Sequence, residues 1–358
     1  MSGDAPRRPG MTAPPRRPPA QRAVESPARG GPRPTLEDVR ACYRLILGRE
    51  PESEAVLERH LAQVASFADL RQRFLQSDEF RSRGVPDATP RLPLSPDAVP
   101  VDVLAEGPAL DAMLARIGTY WEKIGGEAPH WSVLTQDRFR PDAIAESLDA
   151  FYATGANDRM LVEGLLKRHG IAPASLPLCL EYGCGVGRAT LALSQVFAKV
   201  LGCDISQPHL DLAAEQAAAR GVANLAWHRS TVAAPMPAGG WDCWYSRIVL
   251  QHNPPPVIAH LLRHAFAGLR PGGVAIFQVP THRVGYRFSV ADYLASTREP
   301  EMEMHILPQR QVFALAREAG LEVLEVREDT HLVASNALVW LSNMFMLRRP
   351  PDGSAPAG

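Results

Sequence analysis

The spacing of apolar residues changes several times along the chain, and each change predicts a different kind of element. Between residues 35 and 84 apolar side chains such as Leu36, Val39 and Tyr43 recur every three or four positions, which predicts a small module of short helices. Residues 85–107 hold five prolines and few large apolar side chains, as expected of a linker. From residue 108 to 348 helical spacing alternates with short apolar runs. Such alternation is typical of a parallel, doubly wound sheet with helices on both faces.

The two ends of the chain lack this periodicity. Residues 1–34 contain nine prolines with many Arg, Gly and Ala, and residues 349–358 are also small or polar. Segments with so little to bury favour disorder, so we expect a tail at each end.

A glycine turn marks the centre of the second domain. The apolar run 178–182 predicts a buried strand, and Gly183, Gly185 and Gly187 follow it at the start of a predicted helix. The next predicted strand ends at Asp204. Glycines let the backbone approach a ligand, and an acid at the end of the second strand can accept hydrogen bonds from two ribose hydroxyls. The pattern therefore predicts a nucleoside-containing cofactor.

Two cofactor classes use this layout, and the spacing separates them. A dinucleotide fold requires its third glycine one residue later, where this chain has Arg188. A nucleotide-dependent oxidoreductase is therefore the less favoured interpretation. A third interpretation is a glycine-rich turn that binds no ligand, and the paired acids Glu181 and Asp204 argue against it.

The sequence from Glu181 to Gly187 resembles the Glu/Asp-x-Gly-x-Gly-x-Gly signature of class I S-adenosylmethionine-dependent methyltransferases. The resemblance implies that Gly183, Gly185 and Gly187 lie against the methionine part of the cofactor, that Glu181 orients its amino end, and that Asp204 binds its ribose. It also implies a Rossmann-like, mostly parallel seven-stranded sheet whose antiparallel last strand lies between strands five and six, preceded here by a small all-α module.

Further cofactor contacts are expected from the same resemblance. Cys184 lies in the glycine turn, Ile205 follows Asp204, and Arg247 follows the fourth strand. The acid that often meets the adenine amino group after strand three is missing, so Ser230 is the predicted substitute.

The segment after strand four supplies a candidate catalytic residue. His252 has an intrinsic pKa suited to accepting a proton from a hydroxyl acceptor, so it is a candidate general base. The alternative is that it caps the helix that begins after Pro254. We also expect the long connection 280–307 to form a cap over the acceptor, and Trp131, Tyr152 and Thr154 to contribute to a lid or simply to pack.

The helical module has its own resemblance. The run from Tyr43 to Pro51, followed by the run from Phe74 to Phe80, resembles small helical modules found beside bacterial glycosyltransferases and cell-surface carbohydrate enzymes. It suggests a carbohydrate context and implies no catalytic role.

Charge and cysteine content exclude several classes. The net charge of the chain is -1, and its first 35 residues are basic, so the folded part is mildly acidic and a strongly basic nucleic-acid groove is not expected. The five cysteines are odd in number and lack Cys-x-x-Cys spacing, which favours a reduced compartment. No apolar run approaches the roughly 20 residues of a membrane span, and we predict no metal site.

We therefore expect a cytoplasmic bacterial enzyme that transfers a methyl group from S-adenosylmethionine to an oxygen or nitrogen of a small molecule or glycan. A catalytically silent, cofactor-binding scaffold or partner protein is the alternative. The sequence does not identify the oligomeric state.

Overall fold

The computed structural model describes residues 33–82, 100–329 and 340–352. The chain divides into two compact units between residues 88 and 89. Most of both predicted tails, and residues 85–99 of the predicted linker, lie outside the described residues.

The first unit is a small all-α module. Thr35 begins its first helix with a capping box, because the Thr35 hydroxyl accepts the Asp38 N–H at 3.3 Å while the Asp38 carboxylate accepts the Thr35 N–H at 2.8 Å. The helices are α1 Leu36–Ile46, α2 Glu54–Ala62, α3 Phe67–Leu75 and α4 Asp78–Ser82. Their buried residues form one cluster: Val39, Tyr43, Leu47, Leu57, Leu70 and Phe74.

In the second unit four helices precede the sheet and others alternate with its strands. The helices are α5 Pro108–Glu127, α6 Pro129–Val133, α7 Ile144–Ala153, α8 Gly155–Arg168, α9 Arg188–Leu193, α10 Gln207–Ala219, α11 Pro255–Ala267, α12 Val290–Ala295 and α13 Gln309–Glu318. The strands are β1 Leu178–Tyr182, β2 Lys199–Asp204, β3 Leu225–Arg229, β4 Trp241–Ser246, β5 Leu269–Arg283, β6 Glu322–Glu328 and β7 Trp340–Arg348.

Within the described residues these strands form one seven-stranded sheet in the order β3-β2-β1-β4-β5-β7-β6. Strands β1 to β5 pair in parallel, whereas β7 runs antiparallel between β5 and β6. This arrangement confirms the predicted fold class. The strand order reverses between β1 and β4, and ligands of open parallel sheets bind at the carboxyl ends of the strands at such a point.

The central strands are buried on both faces. Leu180, Trp244 and Phe277 belong to the core on the side of α5, α11 and α13. Their chain neighbours Cys179, Cys243 and Ile276 belong to the core on the side of α8 and α9. Because side chains alternate along a strand, a run that is apolar at every position can support a helical layer on each face. None of the described helices is long and apolar enough to cross a membrane.

Three predicted boundaries differ from the structure. The apolar pattern after the glycine turn predicts a helix to about residue 198, whereas α9 ends at Leu193. Beyond that end the Asn224 side chain donates to the carbonyls of Ser194 and Phe197. Residues 100–107 belong to the second unit and not to a linker: the Asp102 N–H donates to the carbonyl of Phe288 at 3.0 Å.

At the other end of the second unit the ordered chain continues past residue 348. The Arg349 N–H donates to the Gly273 carbonyl at 2.8 Å, and the Gly272 N–H donates to the Arg349 carbonyl at 2.9 Å. Residue 349 thus extends the pairing of β7 with β5 and is not part of a tail.

Candidate active site

A cavity of about 490 Å³ lies at the carboxyl ends of β1, β2 and β4, where the fold places a ligand. Most of the predicted site residues line it: Glu181, Gly183, Cys184, Gly185, Asp204, Ile205, Arg247 and His252. The predicted site residues, which follow three different strands, therefore lie around one cavity.

The glycine turn is packed tightly against its neighbours. Gly183 has φ of 75°, and a Cβ there would lie 2.3 Å from Val249 Cγ1. Gly185 has φ of 52°, and a Cβ there would lie 2.6 Å from Val133 Cγ2. Both the backbone conformation and the available space therefore require glycine at these two positions.

Asp204 connects the end of β2 to this turn. Its Oδ2 accepts the N–H of Gly185 at 2.8 Å, and its Oδ1 accepts the N–H of Ser206 at 3.0 Å. The carboxylate is buried, yet it lines the cavity. Asp204 therefore shapes the glycine turn as well as offering acceptor oxygens to a ligand.

Glu181 lies beneath the turn. Its Oε2 accepts the hydroxyl of Thr190 at 2.6 Å. Burial raises the pKa of the Glu181 carboxyl to about 8, because the charged form loses its hydration. At neutral pH the carboxyl is therefore mostly protonated.

A buried ion cluster lies beside Glu181, and no pattern in the sequence indicates Asp158, its centre. Asp158, from α8, lies 2.7 Å from Nη1 of Arg188 and 3.6 Å from Nη1 of Arg247, and it accepts the hydroxyl of Tyr245 at 2.6 Å. All four side chains line the cavity. The cluster thus brings one negative and two positive charges to the polar end of the cavity.

Arg188 has unused hydrogen-bonding capacity in this cluster. Its side chain is buried, and its Nε makes no hydrogen bond to any described residue. In the sequence, Arg188 stands where a dinucleotide fold has glycine. A basic residue directly after the glycine turn was the available signal.

The chain leaves β4 through a strained residue. Ile248 has φ of 61°, which is unfavourable for a β-branched side chain. Its N–H donates to Oε1 of the buried Gln278 at 2.9 Å, and this bond holds the turn. Arg247, just before it, also contacts Asp329 through Nε at 3.2 Å. The strain lies at the cavity wall, which Arg247 and Ile248 both line.

His252 is held by the connection that follows β5. Its Nδ1 lies 2.9 Å from the carbonyl oxygen of Glu303. Because a carbonyl can only accept, Nδ1 carries the proton and Nε2 keeps its lone pair. Nε2 makes no hydrogen bond to a described residue, and the Trp121 and His252 rings pack edge to face with centroids 5.4 Å apart.

The electrostatics of His252 keep it neutral. Burial lowers its pKa to about 4. The capping interpretation is wrong, because α11 begins with no side-chain cap and the imidazole bonds to Glu303 instead. The side chain thus presents an unprotonated nitrogen in a cavity.

Two predicted cofactor residues do not line the cavity. Gly187, with φ of 79°, precedes α9 and packs near Ala213 and Trp227. Ser230 is buried, and its hydroxyl donates to the carbonyl of Pro235 at 2.9 Å. The Ser230 hydroxyl therefore already has an acceptor within the fold.

The covering segments also differ in detail from the prediction. Trp131, Tyr152 and Thr154 are not among the lining residues, whereas residues 132–136 are. The Tyr152 hydroxyl donates to the carbonyl of Val186 at 3.1 Å, so it supports the glycine turn from behind.

From the connection 280–307, Met302 and Met304 reach the cavity. Several polar residues of this connection border two outer cavities instead. One of about 690 Å³ is lined by Arg287, Tyr293, Glu301, Glu303 and His305, and one of about 420 Å³ includes Tyr286.

Comparison with known proteins relates part of the second unit to a described family. Residues 179–273, from β1 into β5, match the family model described as a methyltransferase domain. The matched segment spans 95 of the 358 residues and contains the glycine turn and Asp204. The match confirms the predicted S-adenosylmethionine-dependent methyltransferase and favours it over the oxidoreductase alternative.

Solved structures similar to the chain include methyltransferases. Magnesium protoporphyrin IX methyltransferase from Synechocystis PCC 6803 with bound SAM is 18% identical, with a TM-score of 0.45, over 67% of this chain and 97% of that chain. An arsenic(III) S-adenosylmethionine methyltransferase from Chlamydomonas reinhardtii is 20% identical, with a TM-score of 0.39, over 51% of this chain and 66% of that chain. No curated protein sequence matches the chain.

Proposed function

We propose that this methyltransferase transfers the methyl group of S-adenosylmethionine to an oxygen or nitrogen of a small molecule, with His252 as the general base. The observation that carries the proposal is the neutral His252 imidazole, fixed through Nδ1 at 2.9 Å from the Glu303 carbonyl, with its free Nε2 in the same cavity as the glycine turn.

The polar end of the cavity fits the amino-acid part of the cofactor. That part carries one cation and one anion, and the cavity wall offers Arg188 for the carboxylate and Glu181 for the ammonium group. The unpartnered, buried Nε of Arg188 supports this assignment, because a buried donor without an acceptor is costly. Arg247 contributes a second positive charge beside it.

The nucleoside is assigned to the other side of the glycine turn. Asp204 would accept from the ribose hydroxyls with the lone pairs that its two backbone donors leave free. Gly183, Cys184 and Gly185 offer backbone, and Ile205 offers an apolar surface. The buried thiol of Cys184 has its pKa raised by desolvation, so it is assigned no reaction.

The cofactor supplies an activated methyl group on a sulfonium. His252 would hold the acceptor oxygen or nitrogen by a hydrogen bond to Nε2 and would take up the proton that the acceptor loses when it receives the methyl group. The cavity walls exclude water and align the reacting groups, which is most of what this reaction demands. His252 adds orientation of the acceptor and removal of its proton.

The test compares His252→Ala and His252→Gln with His264→Ala, since His264 lies on α11 away from the cavity lining. Labelled S-adenosylmethionine and an extract of small molecules and glycans would reveal the acceptor. We expect a rate loss of about 10²–10⁴-fold for the His252 variants, with cofactor affinity unchanged by calorimetry.

The pH dependence gives a second measurement on the same acceptor. With a pKa of about 4, His252 is already unprotonated above about pH 5, so the wild-type rate should not rise through its titration between pH 6 and 8. A normal rate in His252→Ala would contradict the base assignment. Cofactor binding without methyl transfer to any acceptor would favour the catalytically silent alternative.

A further inference from the structure

The wall of the cavity changes character from one side to the other. The charged groups Asp158, Arg188 and Arg247 gather at one end beside the Glu181 carboxyl, and Asp204 lies at the end of β2. A second part of the lining, formed by α5 and the connection after β5, is apolar: Leu114, Ile117, Trp121, Met302 and Met304. The salt bridge of Arg116 to Glu303, at 3.6 Å, places α5 beside the connection that carries the two methionines.

Two histidines line the cavity near this apolar side: His252, which is neutral at physiological pH, and His209, whose ring centroid lies 6.5 Å from that of Trp121. Apart from these two histidines, the side chains named on this side are uncharged, so a charged acceptor group brought here would lose its hydration with little compensation from an opposite charge. An uncharged apolar group would instead replace water at the apolar wall, which is favourable. This apolar side of the cavity therefore favours uncharged, apolar acceptor groups over charged ones.

Met302 and Met304 also line the outer cavity of about 690 Å³, so their side chains separate the two spaces. The backbone around them is fixed: the His305 N–H donates to the Gln251 carbonyl at 2.7 Å, and Glu303 accepts from His252. Methionine side chains are unbranched and flexible, so they can move aside while this backbone stays in place.

Resting on the proposed methyl transfer, we infer that the acceptor is an uncharged, apolar phenol, which passes Met302 and Met304 and places its hydroxyl against Nε2 of His252. Methionine sulfur and the Trp121 ring both pack favourably on an aromatic ring. A phenolic hydroxyl also suits a weak base such as this imidazole, because a phenol is far more acidic than an aliphatic alcohol.

The experiment uses 4-butylphenol as the probe, with phenol, 4-(4-hydroxyphenyl)butanoate and methyl glucoside for comparison. Binding to the full-length protein is measured by calorimetry with saturating S-adenosylhomocysteine, so the readout does not require turnover. We expect 4-butylphenol to bind about tenfold or more tightly than phenol and than the carboxylate analogue. Equal or tighter binding of the carboxylate or the glucoside would overturn the inference.

Matched variants locate the binding. Met302→Gln and Met304→Gln keep the length of the side chain and make it polar, whereas Met160→Gln on α8 changes an exposed methionine outside the cavity lining. We expect about a three- to tenfold loss of 4-butylphenol affinity in the first two, none in the third, and unchanged S-adenosylhomocysteine affinity in all. Unchanged 4-butylphenol affinity in both cavity variants would overturn the inference.

Labelled methyl transfer to 4-butylphenol separates this inference from the proposed function. Binding at the methionine-lined wall without transfer would support the apolar pocket and refute the proposed reaction. Methyl transfer to the glucoside with no binding of any phenol would support the proposed reaction and refute the apolar phenol pocket.

Discussion

Cofactor binding should release a proton from Glu181. The carboxyl is buried, accepts the Thr190 hydroxyl at 2.6 Å, and has its pKa raised to about 8. At pH 7 a group of that pKa is about nine-tenths protonated. The ammonium group of bound cofactor would stabilise the carboxylate and lower this pKa, so binding should release close to one proton.

The same pKa has a consequence for stability without cofactor. Raising the pKa of a carboxyl from 4.5 to about 8 corresponds to about 5 kcal/mol against the charged form. Since the folded-state pKa is the higher one, the stability that goes with the protonated Glu181 carboxyl is fully present below about pH 4.5. It is lost as the pH rises through 8 and the carboxyl ionises in the folded protein. Between those limits the contribution of Glu181 falls by about 1.4 kcal/mol per pH unit.

The assay is calorimetric titration of S-adenosylmethionine at pH 7 in buffers of different ionisation enthalpy, with Glu181→Gln as the control. Gln keeps an acceptor for Thr190 and cannot ionise. The dependence of the binding enthalpy on the buffer should therefore correspond to the release of close to one proton in the wild type and should vanish in the variant. The thermal midpoint of the variant should also rise relative to the wild type between pH 5 and 8. A binding enthalpy independent of buffer would refute the coupling of Glu181 to the cofactor.

Three further measurements test the site and the division of the chain. Asp204→Ala should weaken cofactor binding by about 1.5–3 kcal/mol and also lower the thermal midpoint, because two backbone donors lose their acceptor. Asp204→Asn should retain more of the cofactor affinity and more of the thermal stability. An unchanged affinity of Asp204→Ala in calorimetry would exclude ribose binding by Asp204. Gln278→Leu should destabilise the protein by about 1–3 kcal/mol, because it leaves the Ile248 N–H unpaired, and denaturant unfolding measures this loss. An unchanged unfolding midpoint would show that this hydrogen bond does not stabilise the fold. Removal of residues 1–34 should leave the melt and cofactor affinity unchanged, and removal of residues 1–90 should preserve cofactor binding; loss of binding in the longer truncation would show that the domain requires the helical module.

The sequence by itself determined those parts of the site that are contiguous along the chain. The strand, glycine turn and following acid lie within the 27 residues from 178 to 204, and their spacing is imposed by local backbone geometry. The alternation of apolar runs with helical spacing likewise predicted the sheet and its two helical layers, because burial on both faces leaves a direct mark on composition.

Only the tertiary structure decided which distant residues meet. Asp158 lies in a helix well before the glycine turn, and nothing in its neighbourhood along the chain indicates that it bonds to Tyr245 and Arg188. The partner of His252 is a backbone carbonyl, at Glu303, and every residue carries one. A contact of that kind depends on how the connection after β5 folds over the sheet, so no residue type could have indicated it.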